Sequence, residues 1–227
     1  MWAGVIAVVI IVIGVAGGWY FGHAVKPFPI NSQDHLTSWS FKGAYTGNDT
    51  LIAQATADSA KLKGELGKGN YPDYDLYIGI GNDADLLGDG KAAYNAYDKA
   101  ISLLPNQGLA YVDLAHTMDE LGAYHTAADA YAAAVHAQSG MLEYHVERLN
   151  FLTRQFPDDT TAIQAALKDV SDQFGDTPAI LAIEAQWLEA QGKYADAIKA
   201  WQADKALSTA SSAAAIDAQI ARDRAKE

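Results

Sequence analysis

The pattern of apolar and polar positions divides the chain into two unequal parts. Trp2 to Phe21 reads WAGVIAVVIIVIGVAGGWYF, 20 residues without a charge. At about 1.5 Å rise per residue such a run matches a hydrocarbon core about 30 Å thick. In lipid a single segment satisfies its own amides only as a helix. Trp2 at one end and Trp19, Tyr20 and Phe21 at the other suit the two interfaces, and Lys26 marks the return to water. Residues 1–25 are therefore expected to form a transmembrane anchor. A cleaved leader would carry a basic start and a shorter apolar run, and neither is present. Gly14, Gly18 and Gly22 recur every four residues on one face, a spacing that lets two such helices pack closely.

Residues 26–48, KPFPINSQDHLTSWSFKGAYTGN, hold two prolines and several turn formers and read as a linker. The aromatics Phe28, Trp39, Phe41 and Tyr45 are unusual in a solvated tether, so part of it is expected to pack on the body. From Asp49 onward the apolar residues recur at helical period. Residues 49–73 read as a capped helix and a turn. The next stretches repeat. Setting LLGDGKAAYNAYDKAISLLPN above ELGAYHTAADAYAAAVHAQSG aligns Gly88 with Gly122, Ala93 with Ala127, Tyr97 with Tyr131 and Ala100 with Ala134, each 34 residues apart. A further copy, AQGKYADAIKAWQADKAL, puts Gly192, Ala197 and Trp201 in the same places 70 residues beyond the second, which leaves room for one degenerate repeat between.

The pattern fits two antiparallel helices. A small residue sits where they cross closely, an aromatic fills the groove one turn on, and glycine closes the turn between them. Pro105 stands where a helix must stop. Each pair leaves an apolar face that only a neighbouring pair can cover, so the pairs stack into a solenoid.

The 34-residue period with these small and aromatic positions resembles the tetratricopeptide repeat family. Tyr77, Ile80 and Gly81 in the first copy, and Tyr111, Leu114 and Ala115 in the second, match its W-x-x-L-G motif in relaxed form. Together with the apolar run, the resemblance implies an all-α chain: an N-terminal transmembrane helix followed by an α-solenoid of about four helix-turn-helix repeats at 74–211. The repeats fall at about 74–107, 108–141, 142–177 and 178–211, with a capping helix at 212–227. The third is carried by two amphipathic stretches, MLEYHVERLNFLTRQF and TTAIQAALKDVSDQF, separated by Pro157-Asp158-Asp159. In architecture the chain is similar to membrane-anchored bacterial repeat proteins, including repeat-bearing subunits of cytochrome c maturation machinery. That likeness implies a single-pass membrane protein with an extracytoplasmic body, although Lys26 and Lys42 lean toward a cytoplasmic one.

Charge narrows the function. The 28 acidic and 16 basic side chains give a formal net charge of −12, a poor footprint for nucleic acid or for an anionic membrane surface. The absence of cysteine excludes thiol nucleophiles and thiolate metal sites. Gly79-Ile80-Gly81 imitates a nucleotide-binding turn, and Asp83, Asp85 and Asp89 imitate a calcium loop, but both motifs lack their remaining positions. His116, His125, His136 and His145 fall on different helices and faces in the repeat register, which argues against a shared metal. No cofactor, metal or enzymatic activity is expected.

The resemblance implies that first helices line a concave groove. The family's groove positions fall on Ile78, Gly79, Asn82 and Asp85, and on Val112, Asp113, His116, Asp119 and Glu120. Some members grip a peptide's C-terminal carboxylate with a basic clamp; here Asn82 matches, but Ile78 stands for the lysine and Asp113 for the asparagine. From Asp73 to Asp129 there are ten acidic residues and two basic ones, so a basic or neutral protein or peptide segment is the expected partner. The implied function is an adaptor or scaffold in an envelope assembly complex. The alternative is a structural subunit that forms homo-oligomers through its anchor and repeat stacking.

Overall fold

The computed structural model describes residues 27–227. The expected anchor, with Gly14, Gly18 and Gly22, lies outside the described residues. Within them the chain folds into ten α-helices. They are α1 (Asp49–Glu65), α2 (Asp73–Leu87), α3 (Gly90–Leu103), α4 (Leu109–Glu120), α5 (Tyr124–Ala137), α6 (Leu142–Gln155), α7 (Thr160–Phe174), α8 (Pro178–Ala190), α9 (Tyr194–Leu207) and α10 (Ala210–Arg224). Each packs on the next except α7, which meets α6 but not α8 to the same extent, and the first helices also touch across hairpins, α2 on α4 and α6 on α8. None of these helices is long and apolar enough to cross a membrane.

Three hairpins turn in one way. Gly88 has φ 77°, its amide donates to the Asp85 carbonyl at 2.9 Å, and the Asp89 amide reaches back to the Ala84 carbonyl at 2.9 Å. Gly122 and Gly192 repeat this geometry in their hairpins. A side chain is strained at such a φ, which is why glycine recurs there. The α6–α7 turn differs. It is longer, Phe156-Pro157-Asp158-Asp159, and Asp159 Oδ1 caps α7 by accepting from the Ala162 amide at 3.0 Å.

Packing inside the hairpins follows a complementarity of small and large. Gly81 faces the Tyr97 ring so closely that a Cβ there would overlap it. Ala115 with Ala127 and Tyr131, and Ala185 with Ala197 and Trp201, repeat the arrangement, all buried. In the third hairpin Leu149, Ile163 and Leu167 take these places, also buried. Two enlarged small positions offset the lost ring, so density is kept while the sequence pattern disappears.

Residues 27–48, expected as a linker, are a strap laid against the first two hairpins. The Tyr94 hydroxyl donates to the Phe28 carbonyl at 2.5 Å, and the Phe28 amide donates to Asp98 Oδ1 at 2.7 Å. The Phe28 ring meets Tyr111 edge-on at 5.9 Å, and Trp39 meets Tyr94 at 5.3 Å with the Lys91 ammonium 4.1 Å from the Trp39 ring centre. The carboxylate of Asp34 accepts from the amides of His125 and Thr126, at 3.1 and 2.6 Å. It thereby caps α5, whose own cap residue Ala123 has no side chain to offer.

Candidate peptide-binding groove

The first helices bring the expected residues into two adjoining places. On α2, Asn82 Oδ1 accepts from the Tyr97 hydroxyl of α3 at 2.7 Å and Asp85 Oδ1 accepts from the Thr117 hydroxyl of α4 at 2.6 Å. These bonds tie each acceptor to a second element and fix its rotamer. Asp113 stands beside them with a buried Oδ2 that has no hydrogen-bond partner. Burial, with Asp85 adding to it, pushes its carboxyl up to about 6 against the opposing pull of His116. Asp85 is raised too, chiefly by burial, with the Thr117 bond opposing. Val112 is buried in the core.

Between α4 and α6 lies a cavity of about 190 Å³ lined by His116, Asp119, Glu120, Glu147, Asn150 and Arg154, with the Tyr131 and Phe151 rings at its base. Asp119 is already engaged: Arg154 forms an ion pair with one oxygen, and Gln155 Nε2 donates to the other at 2.7 Å. His116 Nε2 lies 3.6 Å from a Glu147 carboxylate oxygen. The wall is acidic by three carboxylates to one guanidinium, and Glu120 and Glu147 carry the charge that Arg154 does not neutralise. Glu147, Asn150 and Arg154 join the groove beyond the expected set. They belong to the third repeat, whose register has no glycine turn to set it.

The four clustered histidines occupy four environments. His116 packs on Tyr131, His125 on Phe156, and His136 is exposed. His145 is buried, with Nε2 2.9 Å from the Ser139 carbonyl oxygen and its ring against Phe174. Among the described residues no three histidine or carboxylate side chains are placed to hold a metal ion.

A row of stacked helical hairpins whose first helices touch one another defines an α-solenoid of the repeat type. The particular fold is that of the tetratricopeptide repeat. The chain superposes on yeast Tom70 with a TM-score of 0.58 at 14% identity, covering 81% of this chain and 39% of that one. On TTC0263, a thermophilic tetratricopeptide-repeat protein of Thermus thermophilus, the TM-score is 0.51 at 14% identity, covering 77% of this chain and 92% of that one. The chain thus spans about two fifths of the Tom70 structure and most of the bacterial one. No family model matches the sequence, and no curated protein does.

Proposed function

We propose that the chain is a non-catalytic adaptor, held in the membrane by Trp2–Phe21, whose groove over α2, α4 and α6 receives a protein segment carrying lysine or arginine. The observation that carries this reading is the unbalanced carboxylate wall: Asp113 is desolvated without a partner, and Glu120 and Glu147 exceed the single cation facing them. An incoming ammonium or guanidinium would give Asp113 the counter-charge it lacks, in a place where burial strengthens the attraction. The anchor rests on the uncharged run and its interfacial aromatics. An extracytoplasmic body within an envelope assembly is the setting we favour.

The test is a peptide array of basic, neutral and acidic segments probed with wild type and with Glu120→Lys/Glu147→Lys. Both positions are accessible, so helicity should survive while binding to basic segments drops at least about tenfold. Equal binding by both proteins would move the site off this groove. In-cell crosslinking with mass spectrometry then reads the partner and its membrane face together.

A further inference from the structure

Seven large apolar side chains are exposed in the described fold, and six stand on one edge. Tyr71, Leu103, Leu104, Leu109, Met141 and Leu207 are each between 40% and 60% exposed. This is the edge where each hairpin hands over to the next: before α2, between α3 and α4, between α5 and α6, and at the end of α9. The connections lie side by side. The Gly108 amide donates to Gln138 Oε1 at 2.7 Å, and Gln173 Nε2 donates to the Ser139 carbonyl at 2.6 Å.

The connections on this edge carry little charge themselves, although Glu65, Asp75 and Glu143 flank them at the helix ends. Residues 66–72, 104–108 and 138–141 contain only Lys68, and Asp176 follows at the α7–α8 connection. The turns on the opposite edge carry Asp89, Asp158, Asp159 and Lys193. In a chain of net charge −12, the connections of this edge thus present one carboxylate, Asp176, against three in the opposite turns.

The strap also ends here. Pro27, Phe28 and Pro29 meet Ile101, Pro105 and Tyr111 around an apolar cavity of about 500 Å³. The bonds from Tyr94 and to Asp98 fix Phe28 at this edge. The uncharged run ends at Phe21, so even a fully extended chain keeps it within about 20 Å of Pro27.

We propose that this edge lies against the surface of the bilayer, with Leu103, Leu104, Leu109 and Met141 entering the headgroup boundary of zwitterionic lipid. The proposal rests on the anchor reading and adds an orientation to it. The helices run from edge to edge, so they stand upright on the membrane and the groove opens sideways, parallel to its plane. The strap makes the orientation rigid because it bonds to both of the first two hairpins before the chain reaches α1.

The native chain has no cysteine, so single cysteines report without background. Full-length Leu104→Cys, Leu109→Cys and Met141→Cys, with Tyr124→Cys and Asp158→Cys on the other edge, would be labelled with an environment-sensitive fluorophore. They would then be reconstituted in phosphatidylcholine vesicles containing a shallow spin-labelled lipid. The expected result is that all five proteins float with the vesicles, that the first three labels lose most of their emission to the quencher, and that the last two keep theirs. Flotation with equal emission on both edges overturns the orientation and leaves the anchor standing. Failure to float overturns the anchor and this proposal with it. Protection of the first three labels in lipid-free detergent, growing with protein concentration, would make the edge a contact between copies and overturn the proposal.

Discussion

Asp113 shows how a single carboxylate can connect stability with binding. Its folded pKa of about 6 stands above the ordinary 3.8 because burial disfavours the charged form. The native state therefore holds the proton more tightly than the unfolded chain. Through this group stability is highest below pH 4, falls as pH rises from about 4 to about 6, and stays low above. Asp113→Asn should stabilise the protein at pH 7 by up to about 3 kcal/mol and flatten that part of the profile, as read by thermal unfolding across pH. A bound cation would restore the ionised form, so binding of a lysine peptide should weaken below pH 6 and release a proton near it. Calorimetry in two buffers of different ionisation enthalpy detects that proton; with none released, Asp113 is not part of the contact.

Among the elements, the strap and the third hairpin are the least legible in sequence. The first, second and fourth hairpins announce themselves through Gly88, Gly122 and Gly192, because a positive φ admits few other residues. The third replaces that turn with Phe156-Pro157-Asp158-Asp159 and exchanges its small positions for Leu149 and Ile163, so the volume is conserved and the pattern is not. Arg154 and Glu147 of the groove are hidden with it. The strap's aromatics hint at packing, but Asp34 capping a helix about 90 residues away is a long-range bond that no local pattern encodes. The C-terminal helix likewise begins at Ala210, ahead of the 212 expected, and Thr209 bonds to Ser211 Oγ rather than to the backbone. If Asp34 is the cap of α5, Asp34→Ala should cost about 1–2 kcal/mol in urea unfolding, and Asp34→Asn less. An unchanged midpoint in Asp34→Ala would mean that the strap only decorates the surface.

At the scale of the described fold, most buried side chains fall into two clusters. The larger runs from Tyr74 to Ala197; the smaller joins Ala185, Ile198, Ala200, Trp201, Ile216 and Ile220 from α8, α9 and α10. An open groove of about 420 Å³, lined by Leu167, Leu181, Trp187 and Lys199 among others, separates α7 from α9. The last hairpin is tied to the third through α8, where Trp187 Nε1 and Gln191 Nε2 both donate to the Pro157 carbonyl at 2.9 Å. In a solenoid each unit draws stability from its neighbours, so a unit with one covered side opens at lower free energy than one with two. We expect amides of residues 194–224 to exchange with solvent by a sub-global opening, ahead of residues 74–155. Trp201→Leu removes packing from the small cluster and the indole bond to Glu189 Oε1 at 2.5 Å. It should therefore speed exchange in 194–224 while leaving 74–155 unchanged. Hydrogen exchange with mass spectrometry resolves these segments, and equal acceleration in both would mean that the two clusters open as one cooperative core. The placement matters for function: α2, α4 and α6 carry the groove within the larger cluster, so its wall stays assembled while the far end of the solenoid opens and closes.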